Sequence, residues 1–146
     1  MKKFQFRLQS VLNLREQELE QIQLKLAGAQ HQQMQLQQQS NNLQGYIEEL
    51  MENPLPTGEN GPLLQQQLLF YLNGLRNQQA ELNGQMSQQQ KIIEVIQEEL
   101  RIALSKKQGL DKLKEKKYSD YKADWQAHQQ LEMEDLVSAR QQFNQR

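Results

Sequence analysis

The stretch Asn53-Pro-Leu-Pro-Thr-Gly-Glu-Asn-Gly-Pro62 decides how this chain is read. It holds all three prolines of the sequence and two of its glycines. Proline lacks the amide donor that a helix interior needs, and glycine weakens helical order, so no helix passes through. Pro62 suits the first turn of a new helix, where the missing N–H costs nothing. The sequence on either side has the opposite character. Gln dominates, with Leu, Glu and Lys, and all four are good helix formers.

Working outward from the break, both flanks carry a heptad repeat. On the N-terminal side one series in sevens runs Leu8, Arg15, Ile22, Ala29, Leu36, Leu43, Leu50. A second runs Leu12, Leu19, Leu26, Gln33, Ser40, Ile47. The two interleave at spacings of four and three, the pattern by which one helix face meets another helix. Arg15, Gln33 and Ser40 are polar breaks that weaken a seam but fix its register. On the C-terminal side the series are Leu68, Leu75, Leu82, Gln89, Ile96, Ala103, Leu110 and Leu72, Gln79, Met86, Ile93, Leu100, Lys107. Gly74, Gly84 and Gly109 each cost about 1 kcal/mol against alanine in a helix, and the segment is nonetheless read as one helix.

These patterns predict an all-α fold, a long two-helix antiparallel coiled-coil hairpin forming a single coiled-coil domain over 1–146. Helix one is expected over about residues 5–52, the turn over 53–62 and helix two over about 63–143. At 1.5 Å per residue the first helix is about 70 Å long and the second about 120 Å. Leu50 then faces Gln65, and Leu8 faces the Ser105–Leu110 region. Past Leu110 the apolar stripe shifts to Tyr118, Trp125 and Ala139, with Tyr121, Leu136 and Phe143 beside it. Helix one has ended by that level, so Tyr118, Tyr121 and Trp125 are expected on an unpaired overhang of about 50 Å.

Composition narrows the function. With 36% apolar residues the chain can fill a narrow seam but not a thick core. The net charge of −1 gives no bulk attraction to nucleic acid or anionic membrane. The chain has no cysteine, so disulfides, thiolate metal sites and cysteine catalysis are excluded. The first residues have lysines but no apolar run, unlike a secretory signal, and no segment approaches the about 20 apolar residues of a membrane span.

Site-like features have plainer readings. His128 lies four residues from both Asp124 and Glu132, a spacing that suits a metal, but a solvated polar face accounts for it. His31 stands alone in a Gln-rich tract. Glu48-Glu49 and Glu98-Glu99 lack a cleft that would raise their pKa values for acid–base work. Lys112 to Lys117 is diluted by acidic residues and reads as a charged flank more readily than as a nucleic-acid patch. The Gln tracts lie inside the heptads and read as helix surface. No phosphate-binding glycine loop, nucleophile elbow or HExxH occurs. The expectation is a non-enzymatic protein without catalytic residues, cofactor or metal.

Two segments carry a family resemblance. Phe4-Gln-Phe6-Arg7-Leu8-Gln-Ser-Val11-Leu12-Asn-Leu14-Arg15-Glu16 has an aromatic pair, a basic residue, Leu, an apolar pair and Arg-Glu. Leu110-Asp-Lys-Leu113-Lys114-Glu115-Lys116-Lys117 is followed by Tyr121 and by the acidic Glu132-Met-Glu134-Asp135. The chain resembles the FliJ family of flagellar type III export proteins over its whole length. It departs from the usual order of the acidic pair, having Glu134-Asp135-Leu136. The resemblance implies a hairpin like the coiled coil of the γ subunit of the rotary F1-ATPase. It implies a soluble, non-enzymatic stalk in the cytoplasm, peripheral to the inner-membrane export apparatus. The partners it implies are a hexameric export ATPase, the cytoplasmic domain of the membrane export gate and export chaperones, without nucleic acid or membrane insertion. The terminal end of the hairpin is basic and aromatic, and with this resemblance Phe4, Phe6, Arg7, Arg15, Lys116, Lys117, Tyr121 and Trp125 are the residues expected to meet the ATPase ring. Tyr46, Phe70, Tyr71 and Leu75 would meet the gate. The competing reading is a general coiled-coil adaptor or chaperone-like scaffold unrelated to an ATPase. Tyr46, Phe70 and Tyr71 also suit a second role, sealing the hairpin tip.

Overall fold

The computed structural model describes residues 3–144, and among them there are two helices and no strand. α1 spans Gln9–Glu52 and α2 spans Gly61–Asn144. The fold is an all-α helical hairpin. No helix among the described residues is long and apolar enough to cross a membrane.

The turn shows why α2 starts where it does. Gly58 takes a φ of +103°, a conformation that L side chains rarely adopt. The Gly61 amide donates to the Gly58 carbonyl at 3.1 Å, and the Leu64 amide donates to the Asn60 carbonyl at 3.0 Å. That second bond is the first of the helix and makes Asn60 its cap, a residue type favoured there. Gln65 Nε2 then ties back to the Pro56 carbonyl at 2.9 Å. A Cβ on Gly61 would come within 3.3 Å of the same carbonyl oxygen, so the loop closes tightly on the helix start.

The chain divides into two compact units, Gln21–Leu100 with the turn, and the residues up to Glu20 together with those from Arg101 on. In both, the buried side chains of the helices are those of the heptad series, and Gly61 at the start of α2 is buried as well. On α1 they are Leu12, Leu19, Ala29, Ser40 and Ile47; on α2 they are Leu72, Leu75, Gln89, Ile93, Ile96 and Ala103.

The turn-bearing unit holds two apolar clusters. In one, Ala29 packs with Ile93 and Ile96, flanked by Ile22 and Leu26. In the other, Ile47 packs with Leu72 and Leu75, flanked by Leu43, Leu50 and Leu68. Polar residues hold seam positions as well. Gln89 Nε2 donates to the Ala29 carbonyl at 3.0 Å in a buried site, and Gln79 Nε2 donates to Gln44 Oε1. Gln33 Oε1 is buried without a hydrogen-bond partner. Such a group costs about 1–3 kcal/mol, so this stretch of seam is weaker than the clusters.

In the other unit α1 begins later than the sequence pattern suggests. Residues 3–6 are non-helical and 7–8 form a turn. The Gln9 amide bonds to the Phe6 carbonyl at 3.1 Å, and the Leu12 amide to the Leu8 carbonyl at 2.9 Å. Lys3 and Arg7 oppose the positive end of a helix dipole, and no acid stands in the first turn to offset them. Non-helical chain advances about 3.3 Å per residue against 1.5 Å in a helix. The four residues back from Leu8 therefore carry Phe4 about nine helical residues further along α2. Its ring lies 5.1 Å from that of Tyr118 and 5.5 Å from that of Tyr121. The expectation that α2 is unpaired beyond Leu110 is thus corrected: the N-terminal arm accompanies it to Tyr121. Past that residue every described position of α2 is exposed.

Candidate partner-binding surfaces

The first surface is built by the arm against α2. Phe4, Tyr118 and Tyr121 form an aromatic cluster, with the two tyrosine rings nearly parallel at 6.4 Å. Lys122 Nζ sits 4.8 Å from the centroid of the Tyr118 ring, a cation–π contact. Beside the cluster is a cleft of about 480 Å³ lined by Phe4, Phe6, Arg7, Leu8, Leu113 and Lys117. Its walls are mostly apolar, and Arg7 and Lys117 bring two cations to it. Four residues expected at the ATPase ring, Phe4, Phe6, Arg7 and Lys117, therefore converge on one cleft. Tyr121 joins them through Phe4. Lys116 is exposed and Trp125 is exposed one turn further on.

Arg15 is in a different position. It occupies a seam site, is half-buried, and its Nη1 lies 2.9 Å from Glu18 Oε2. Its guanidinium pairs within α1, and it does not line the cleft that Phe4, Phe6, Arg7 and Lys117 share. Leu113 and Tyr118 were missed as contacts. Tyr118 was visible as part of the shifted stripe, and Leu113 as the apolar member of the Leu-Lys block.

The second surface lies in the turn-bearing unit. Tyr46 and Tyr71 meet edge to face at 6.4 Å, and the Tyr71 hydroxyl donates to that of Tyr46 at 3.1 Å. That hydrogen bond, with smaller contributions from desolvation and the Tyr46 charge, raises the Tyr71 pKa above the ordinary tyrosine value. Phe70 is 83% exposed, beyond what packing explains. Leu75 is 7% exposed and packs with Ile47 and Leu72. Its side chain is committed to the seam. Met51, Leu63, Leu64 and Leu69 are exposed nearby in sequence and were not anticipated. All four lie off the heptad series, which is the signal that finds them.

Elsewhere the charged groups pair locally. His128 Nε2 lies 3.1 Å from Glu132 Oε1 on an exposed face. Lys107 pairs with Asp111 at 3.7 Å, and Lys25 with Glu99 at 3.5 Å. Exposed pairs of this kind contribute about 0–1 kcal/mol. Among the described residues no three metal-ligating side chains come together.

The family model described as "Flagellar FliJ protein" matches residues 4–146, which takes in every residue of both surfaces. No curated protein and no solved structure matches the chain.

Proposed function

The chain belongs to the FliJ family, components of the flagellar export apparatus, and on that premise we propose that it works there as a coupling stalk without chemistry of its own. In this reading the arm surface meets the hexameric export ATPase. The Tyr46–Tyr71–Phe70 surface meets the cytoplasmic domain of the membrane export gate, and export chaperones share the latter. The work is done in the cytoplasm, against the inner-membrane apparatus.

The observation that carries this reading is the contrast between the two surfaces. The first is aromatic and basic, with Phe4, Phe6, Arg7 and Lys117 around one cleft. The second is aromatic and uncharged at its centre, with two hydroxyls engaged with each other. Aromatic residues and Arg are the commonest anchors of protein interfaces. Two such surfaces of unlike charge suit two different partners. A single stalk in a six-fold ring touches the subunits unequally, so it biases their cycle by contact alone.

The test is stimulation of the purified export ATPase by the full chain. Replacing Arg7 and Lys117 by Glu is expected to reduce stimulation at least about tenfold, as loss of charged interface anchors does. Replacing Phe70 and Tyr71 by Ala is expected to leave stimulation intact and to impair gate-dependent secretion. If the protein neither binds nor stimulates the ring, the general adaptor reading takes its place.

A further inference from the structure

We propose that the exposed C-terminal part of α2, residues 118–143, pairs with the same segment of a second copy of this chain in an antiparallel two-helix contact. The starting point is a stripe left without a cover. Trp125, Leu136 and Phe143 are all exposed, the last at 79%. Beyond Tyr121 no described residue of this chain buries a position of α2.

The sequence of this stripe is self-complementary. One set of positions in sevens is Tyr118, Trp125, Glu132, Ala139; the other, four residues later in each turn pair, is Lys122, Gln129, Leu136, Phe143. Spacings of four and three again define one helix face. Antiparallel coiled coils place one set opposite the other. In the register centred between Gln130 and Leu131, Trp125 meets Leu136 of the second copy and Tyr118 meets Phe143 of the second copy. Gln129 meets Glu132, a polar middle that fixes the register as buried polar residues do. Ala139 meets Lys122, small against long. By two-fold symmetry each pair occurs twice.

The contact also continues an interface already present. Phe4 covers one side of Tyr118 and Tyr121. Phe143 of the second copy would extend that aromatic cluster just where the arm ends. Leu131 and Val137 lie off the stripe and have no place in this contact.

Two apolar pairs, each used twice, around a polar centre make a weak association, with a dissociation constant on the order of micromolar. Such a dimer would cover the Trp125 face. The proposal stands apart from the coupling reading, because its test needs no ATPase.

The experiment is sedimentation equilibrium of the full chain over a wide concentration range. The mass is expected to rise from 17.3 kDa toward twice that value. Fluorescence of Trp125, the one tryptophan in the chain, should shift to the blue over the same range. Leu136→Lys should weaken association at least about tenfold, the equivalent of 1.4 kcal/mol, without moving the hairpin's melting temperature. Register is tested by disulfide trapping, which the absence of native cysteine makes clean. A mixture of Gln129→Cys and Glu132→Cys proteins should form a mixed disulfide faster than either forms a disulfide with itself. A monomeric mass at every concentration overturns the proposal. Faster trapping of Gln129→Cys with itself overturns the antiparallel register.

Discussion

Along α2, two stretches of one helix have opposite fates. From Leu68 to Leu110 the heptad positions are buried or half-buried, and Ile96 reaches 2% exposure. From Lys122 to Asn144 no described position is buried, although Trp125, Leu136 and Phe143 sit on an equally regular stripe. Gln and charge do not separate the two, since both are rich in them, although the second has only Leu131 and Leu136 where the first has eight leucines. What separates them is whether α1 or its arm lies alongside. The apolar stripe of the first stretch holds the fold together. In the second no described residue of this chain covers it.

An aspartate placed in the seam against the first stretch and one placed on the second should break the comparison most visibly. Ile47→Asp puts an unpaired charge into the cluster with Leu72 and Leu75 and is expected to cost about 4 kcal/mol or more. Leu136→Asp, on the uncovered stripe, should stay within about 0.5 kcal/mol. Thermal melts followed by circular dichroism at low protein concentration read both. Equal losses would mean that the second stretch is covered after all.

A smaller effect sharpens where the border lies. Phe4→Ala removes the contacts with Tyr118 and Tyr121 and should cost about 1 kcal/mol, the scale of an aromatic pair. It should also expose Tyr121, which a change in tyrosine fluorescence reports. No change in either would move the border back to Leu110. The smallest effect belongs to the turn. Inserting several glycines between Pro54 and Thr57 should change stability by less than about 1 kcal/mol, because loop closure costs grow slowly with length. A large loss of helicity would show that the tight Gly58–Asn60 closure, and not the seam, holds the helices together.

The sequence made the seam legible because a periodic pattern depends only on which face is covered. Leu12, Ile47, Ile93 and Ile96 followed from counting in sevens, and so did polar Ser40 and Gln89. Leu75 was legible in the same way, since it belongs to the Leu68 series. Phe4 was not legible. Its position depends on a switch from helical to extended backbone at Leu8, and local composition does not set where that switch falls. The hydroxyl pairing of Tyr46 with Tyr71 was hidden for another reason. It needs the register of two helices to within one residue, and both residues lie off the heptad series.

The most direct measurement is amide hydrogen exchange resolved along the full chain, at concentrations low enough to keep it monomeric. Exchange rates report local opening free energy. Strong protection is expected through Ile93, Ile96 and Ala103, falling off near Tyr121, with little protection from Lys122 onward. Protection beyond Lys122 equal to that of Ile96 would contradict the account, because it would require a cover that this chain does not provide.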